Sequence, residues 1–185
     1  MMDTRLLYSI AMVFVIIVAS FYYFSGKSKR LEANKDANLN STAKTIQVTQ
    51  TNERGQLYAK STIQNMTVNM QSGDAVLKKI QGVQYENGKE NASFHADQGF
   101  AKNDYENVEL VGNVRVSKLS YQKTPSITFD TDQLSGNTKT NQIVTDHEVM
   151  ITSPQGKFQS QGLKANLNTG EYEFYTIRGL YEPAS

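Results

Sequence analysis

The side chains best suited to chemistry are a histidine near a carboxylate and a run of acidic residues around a second histidine. His95 and Asp97 are two positions apart, so on a β-strand they would share one face and could bind a metal or pass a proton. Asp146, His147 and Glu148 are consecutive, so their side chains cannot all converge on one ion. Because a metal site needs more ligands than either group supplies, both groups are interpreted as solvated strand residues.

Other catalytic arrangements are sparse in this sequence. Asp130 and Asp132 form the same-parity acidic pair that a glycan-active β-protein would need as general acid and base. The sequence has no cysteine, which excludes a disulfide scaffold, a zinc–thiolate site and thiol catalysis. It also lacks a G-x-S-x-G elbow, a glycine-rich phosphate loop and an H-E-x-x-H motif. We therefore predict that the protein is not an enzyme and uses no cofactor and no metal.

Composition is that of an ordinary folded chain with an uneven charge distribution. The 185 residues are 38% hydrophobic and 20% charged, with a net charge of +1. Residues 1–35 carry a net charge of +3 and residues 36–185 a net charge of −2. A mildly acidic body excludes the usual basic groove of a nucleic-acid-binding protein.

The amino-terminal region predicts a membrane anchor. An uncharged run of nineteen residues starts at Leu6 and ends at Phe24, and as a helix it would span roughly 28 Å, close to the hydrocarbon thickness of a bilayer. A cleaved signal peptide is the alternative, but the run is long and its small-residue cleavage pattern is poor. We predict an anchor with a short flank over residues 1–25, a polar linker over 26–44 and a β-domain over 45–185.

The charges around the anchor do not by themselves place the domain. Arg5 precedes the span, whereas Lys27, Lys29 and Arg30 follow it. A plain positive-inside count would put the domain in the cytoplasm. A long domain can nevertheless be translocated despite modest flanking charge.

The body has the period-two pattern of β-strands. In NVELVGNVRVS the residues Val108, Leu110, Val114 and Val116 share one parity. Similar runs, separated by turn signals, predict antiparallel strands, including one strand over residues 143–151 and a closing strand over 172–181. Residues 61–80 fit a helix face and a strand face alike, and Gly73 favours the strand.

Alternation predicts which side chains face the interior of the domain. A sealed sandwich core and a splayed pair of sheets holding an apolar ligand need the same pattern, so both interpretations stay open. Gly55 and Gly162 are predicted to be structural glycines near turns or bulges. The predicted interior set is Ile46, Val48, Leu57, Ala59, Phe94, Ala96, Val108, Leu110, Val114, Val116, Ile127, Phe129, Val149, Ile151 and Phe158.

Two stretches carry a resemblance to a known family. They are TNERGQLYA at residues 51–59 and FQSQGLKANL at residues 158–167, which leads into GEYEF at 170–174. In this order, behind a single apolar span and a polar tether, they resemble the LptC family, the inner-membrane component of the lipopolysaccharide export bridge. The resemblance implies an all-β fold, a twisted open β-jellyroll of antiparallel strands in the periplasm, preceded by a single N-terminal transmembrane helix.

The resemblance also implies a function and partners. Acyl chains of lipopolysaccharide would lie between the sheets, against the interior set, while phosphates and sugars stay outside. The first strands would meet the inner-membrane ABC transporter (LptB, LptF, LptG) and the last strands the periplasmic bridge protein LptA. The partner edge would include Tyr172, Phe174, Tyr175 and Ile177. The alternative is a membrane-tethered β-scaffold that assembles partners edge to edge without carrying lipid.

Overall fold

The described part of the chain is built from β-strands. A computed structural model describes residues 40–102, 106–119, 126–166, 169 and 171–181. The predicted anchor, and the predicted linker up to residue 39, lie outside the described residues. Within them, no helix is long and apolar enough to cross a bilayer. The strands are β1 Asn40–Thr51, β2 Leu57–Asn69, β3 Ala75–Glu86, β4 Lys89–Lys102, β5 Asn107–Lys118, β6 Ile127–Asn137, β7 Gln142–Thr145, β8 Val149–Ser153, β9 Gly156–Ser160, β10 Gly162–Asn166, β11 Glu171–Tyr175 and β12 Arg178–Tyr181.

The strands form one antiparallel sheet that divides at β6. Strands β1 to β6 pair in sequence order. Residues 135–137 of β6 then pair with β7, which leads through β10 to β11. Residues 128–131 of β6 pair instead with β8, which leads through β9 to β12. The last six strands therefore continue two separate halves of the long strands.

A line of backbone irregularities crosses the six long strands near their midpoints. Thr45 and Lys79 each have a φ of 53°, and the strand registers shift beside Asp97 and at Gly112. We call this the fold line; it passes through residues 45, 64, 79, 97, 112–113 and 132. The half-strands continued by β7, β10 and β11 form the first layer, and those continued by β8, β9 and β12 form the second layer.

In β2, β3 and β4 the buried face changes parity where the strand crosses the fold line. In β4, Phe94 and Ala96 are buried before the line, and Gly99 and Ala101 are buried after it. A single uninterrupted alternation would have turned one half of the strand inside out. The irregularity lets both halves of the strand direct apolar side chains at the same interior.

Contacts between the two layers show that their apolar faces meet. The ring of Phe129 in the second layer stacks on that of Phe174 in the first, with centroids 6.4 Å apart and planes 3° from parallel. A methyl group placed on Gly99 of the first layer would lie 2.7 Å from Cδ1 of Ile80 in the second. The domain is thus an antiparallel sheet folded over upon its own apolar face.

The prediction of an all-β antiparallel fold is confirmed, and the ambiguous segment 61–80 belongs to strands β2 and β3 and the turn between them. Two details were wrong. The predicted strand over 143–151 is broken into β7 and β8, and the closing strand over 172–181 is broken into β11 and β12, with Thr176 at a φ of 50° between them. In both cases the chain passes from one layer to the other, so the break continues the fold line.

The domain also begins earlier than the sequence pattern indicated. Strand β1 starts at Asn40, inside the segment predicted as linker, and residues 40–44 pair with residues 65–69 of β2. These five residues are polar or small and mostly exposed, so they carry no alternation signal. Backbone pairing, rather than side-chain burial, makes them a strand.

Close packing between neighbouring strands of the second layer predicts a sensitivity to substitution at Gly82, which pairs with Phe94. A Cβ there would lie 1.9 Å from Cε1 of Phe94, so Gly82→Ala should lower the free energy of unfolding by about 2 kcal/mol through overpacking. Urea denaturation followed by circular dichroism measures this. Because Phe94→Leu removes the obstructing ring, the double variant should lose less than the sum of the single variants. A Gly82→Ala variant as stable as the natural protein would contradict the close approach.

Candidate functional site

The largest candidate site is the apolar interior between the layers. Of the fifteen residues predicted to face it, most are buried, and Val48, Ile127 and Phe158 are partly buried against the same cluster. Leu57 shares the parity of buried Ala59, but it lies at the strand end and is 39% exposed. The structure therefore places this set along one surface, with its exposed member at the margin.

Sequence alternation missed the deepest part of this interior. Ile63, Leu77 and Ile80 are the large side chains of β2 and β3 that are nearly or fully inaccessible to solvent. They flank the fold line, where the parity changes, so a search for one uninterrupted period does not find them. The signal that could have found them is a pair of consecutive polar residues, such as Lys78 and Lys79, inside an apolar run.

Apolar side chains become exposed toward the strand ends that lie away from the fold line. Met70, just beyond the end of β2 in the first layer, is 54% exposed, and Leu57 and Leu119 in the second layer are 39% and 40% exposed. We call these strand ends the rim. The half-strands of about five to seven residues make the interior roughly 17–23 Å deep. Packing is thus closed at the fold line and looser at the rim, where Val68 is only partly buried.

The folded sheet has free strand edges at opposite ends. Among the described residues, β1 pairs with β2 only, β11 with β10 only and β12 with β9 only. An unpaired edge offers backbone donors and acceptors to a strand of another molecule. Because both layers end at such edges, a partner could extend the two layers together.

The predicted partner-edge residues lie at the edge formed by β11 and the segment after it. Tyr175 and Ile177 are 37% and 57% exposed, and Tyr172 stands opposite Ala165 in the register of β10 and β11. Phe174 differs because its ring packs inward against Phe129. It therefore connects this edge to the apolar interior.

The two predicted structural glycines serve different purposes. Gly55 has a φ of 74° in the turn between β1 and β2, a conformation that favours glycine. Gly162 begins β10 where the chain changes layer, and a Cβ there would lie 2.8 Å from the carbonyl oxygen of Thr145. The first is needed for backbone conformation and the second for close approach.

Polar side chains hold the fold line on its outer face. Lys79 Nζ lies 2.7 Å from Asp97 Oδ1, and Asn113 Nδ2 donates to Asp97 Oδ2 at 2.6 Å. The hydrogen bond from Lys79, followed by that from Asn113, holds the pKa of Asp97 below its usual range. His95 Nε2 is 3.6 Å from the same carboxylate. The histidine–aspartate pair is therefore part of a network that joins β3, β4 and β5.

The remaining acidic candidates surround a shallow concavity of about 740 Å³ on the outside of the second layer. Asp130 is paired with Arg115, and the hydrogen bond to Asp130 raises the pKa of that guanidinium. Asp132 and Glu148 also line the concavity, whereas the side chain of Asp146 is 98% exposed. Within the described ranges no three histidine or carboxylate side chains are placed to hold a metal ion.

The chain was compared with protein families, curated proteins and solved structures, and the family comparison identifies one family. A family model described as Lipopolysaccharide-assembly, LptC-related matches residues 8–182. No curated protein matches the chain. Among solved structures the chain is similar to the crystal structure of LptH, the LptA homologous periplasmic component of the conserved lipopolysaccharide transport device from Pseudomonas aeruginosa. That match has 10% sequence identity and a TM-score of 0.49, and covers 68% of this chain and 95% of that chain.

The network at Asp97 predicts a pH-dependent contribution to stability. Because its pKa is lowered in the folded protein, the ionised carboxylate stabilises the fold above the unfolded-state value of about 3.9. That contribution is lost as the pH falls through the lower pKa of the folded state. Asp97→Asn should therefore reduce thermal stability at pH 7, and the difference from the natural protein should shrink on acidification below about pH 4.

Thermal unfolding across pH 2–7 measures this difference. Asp146→Asn is the matched control, since the Asp146 carboxylate is almost fully exposed and its removal should change little. A difference for Asp97→Asn that stays constant with pH would contradict an electrostatic role.

Proposed function

This chain belongs to the LptC-related family of lipopolysaccharide-assembly proteins, and we propose that its β-domain is a carrier in lipopolysaccharide transport. In this proposal the domain is a periplasmic β-jellyroll that accepts lipopolysaccharide extracted from the inner membrane by an ABC transporter. It shelters the acyl chains between its two layers and passes the molecule to the periplasmic bridge protein. Family membership supports the transport role, and the apolar interior between the layers is the observation that supports the carrier step.

Looser packing at the rim gives a physical route for the acyl chains. Ile63, Leu77 and Ile80 fill the fold line, so a chain would enter from the opposite side, where Val68 is only partly buried. Each methylene removed from water contributes about 0.8 kcal/mol, but a bilayer already shelters these chains. The free energy of moving an acyl chain from the bilayer into the interior is therefore close to zero. The direction of transport must then come from the ATP cycle of the transporter.

The free strand edges at the two ends of the sheet support a position of this domain between two partner proteins. The edge of β1, twelve residues long, would meet the periplasmic jellyroll of the ABC transporter complex (LptB, LptF, LptG). The edge of β11 and β12 would meet LptA. Residues 6–24 would anchor the chain in the inner membrane, with the C-terminal domain in the periplasm. Strand addition at both ends would align neighbouring interiors into one continuous groove.

The principal rival is a membrane-tethered scaffold that uses the same edges but keeps its interior sealed. The two functions predict the same partners and differ only in whether lipid enters between the layers. The stacked rings of Phe129 and Phe174 lie across that space, which makes this pair the most informative place to test.

Photocrosslinking in cells separates the two functions. A photoreactive residue in place of Phe129 or Leu110 should crosslink to lipopolysaccharide, because both side chains face the interior. The same residue at Val144, which is 45% exposed on the outer face of the first layer, is the matched control and should give no such product. If no interior position crosslinked to lipid, the result would contradict the carrier function and favour the scaffold.

The partner edge gives a second test. Ile177 is 57% exposed, so Ile177→Asp should leave the fold stable while weakening binding to LptA by about tenfold through loss of an interface anchor. Val144→Asp, on the outer face of the same domain, should leave binding unchanged. Surface plasmon resonance measures both affinities. If Ile177→Asp and Val144→Asp both bound LptA as tightly as the natural chain, Ile177 would not belong to the partner edge.

A further inference from the structure

The partner edge is held together by one buried serine. We call residues 171–181, which comprise β11, β12 and the bend between them, the corner. Ser160 is fully inaccessible to solvent, and its hydroxyl oxygen lies 2.7 Å from the carbonyl oxygens of both Tyr175 and Gly162. The amide of Gln161 donates to the same Tyr175 carbonyl at 2.8 Å. The end of β11 is therefore fixed by the segment that leads from β9 to β10.

Ser160 connects the two edge strands of the corner. It is the last residue of β9, which pairs with β12, and its hydroxyl binds the last residue of β11. Only Thr176 and Ile177 separate β11 from β12, and Thr176 has a φ of 50°. Because β11 belongs to the first layer and β12 to the second, the Ser160 hydroxyl fixes the position of one edge relative to the other.

The opposite end of the domain presents an edge of the same form. In β1, residues 40–44 pair with β2 in the first layer, Thr45 follows with a φ of 53°, and residues 46–51 pair with β2 in the second layer. In the corner, the five residues of β11 are followed at once by the left-handed Thr176. Each edge therefore has five residues in the first layer, one left-handed residue and a further stretch in the second layer.

We propose that the corner binds a single bent strand of the partner, with Ser160 as the positioning residue for that contact. The partner strand has the form of β1, with a left-handed residue near its middle, and it pairs with β11 and β12 together by strand addition. Since β1 and the corner both run from the first layer to the second, a partner domain that keeps its fold line aligned with this one pairs in parallel. This inference rests on the proposed partner edge and specifies the element that the edge recognises.

Two short half-sites require a rigid corner. The five residues of β11 or the four of β12 alone offer few backbone hydrogen bonds, and each bond contributes modestly in water. When one strand engages both half-sites, the second pairing becomes intramolecular, and its effective concentration depends on how well the two edges are aligned. Because Ser160 is inaccessible, it acts on the partner only through this alignment.

Photocrosslinking to LptA maps the partner strand. The full-length chain in lipid nanodiscs carries a photoreactive residue at Glu173 in β11 or at Arg178 in β12, both exposed. Both positions should crosslink to one LptA segment no longer than the twelve residues of β1, with the Glu173 product nearer the amino end of that segment. Val144, on the internal strand β7, is the control and should give no product.

The crosslinking outcomes separate this inference from the partner edge itself. Products from one position only, products in two separate LptA segments, or products in the reverse order would overturn the bent-strand contact and leave the partner edge intact. Absence of LptA products at both positions would overturn the partner edge.

A matched pair of serine variants tests the positioning role. Ser160→Ala should weaken LptA binding about tenfold, because the two half-sites lose their fixed alignment. Ser61→Ala is the control, since Ser61 is also a buried serine of the second layer, but its hydroxyl has no hydrogen-bond partner among the described residues. Its affinity for LptA should equal that of the natural chain.

A distance measurement separates positioning from a general loss of stability. The sequence has no cysteine, so spin labels at Glu173→Cys and Arg178→Cys report only the distance between β11 and β12. Ser160→Ala should broaden the distribution of this distance at temperatures where the circular dichroism spectrum is unchanged, and Ser61→Ala should not. Weaker binding with an unchanged distribution, or unchanged LptA affinity in Ser160→Ala, would overturn the role of Ser160.

Discussion

The domain depends on one geometric constraint. Each long strand runs through both layers, and its apolar side chains must face the shared interior in each of them. Successive side chains of a strand point to opposite faces. Where a strand passes from one layer to the other, a local twist or an extra residue therefore changes whether its odd-numbered or its even-numbered residues face the interior. In β3 and β4 the parity changes at Lys79 and Asp97, and in β5 the register skips Gly112 and Asn113 together. Without these adjustments half of each long strand would expose its apolar side chains.

The same constraint explains why the outer face of the fold line is polar. A backbone with left-handed residues leaves some ladder hydrogen bonds unmade, and the side chains of Lys79, Asp97 and Asn113 connect three strands across that gap. The histidine–carboxylate pair that first looks catalytic is part of this connection. A sheet folded in this way, unlike a closed barrel, keeps free edges at both ends, and this property supports a function in a row of similar domains.

Sequence reasoning succeeded where one strand remains in one layer or crosses with its parity intact. Val108, Leu110, Val114 and Val116 were correctly placed on one face because the two skipped residues preserve the alternation. Sequence reasoning failed at residues 143–151 and 172–181, where the chain crosses between the layers and the strand is broken. The alternation of apolar and polar residues continues through both segments, so it does not indicate the break. The burial of the Lys118 side chain, which is 5% exposed, was also not predicted, because a lysine near the end of a strand is usually solvated and only tertiary packing covers it.

A protein selected only for stability would fill its interior uniformly with apolar side chains. Here the fold line is closely packed by Leu77 and Ile80, whereas Leu57, Met70 and Leu119 near the rim are 39%, 54% and 40% exposed. These exposed apolar side chains add little to stability in the empty domain and would be covered by any hydrocarbon that lay between the layers. The gradient from a closely packed fold line to a more exposed apolar rim is therefore easier to explain in a carrier than in a scaffold, whose edges would work equally well around a uniformly packed core.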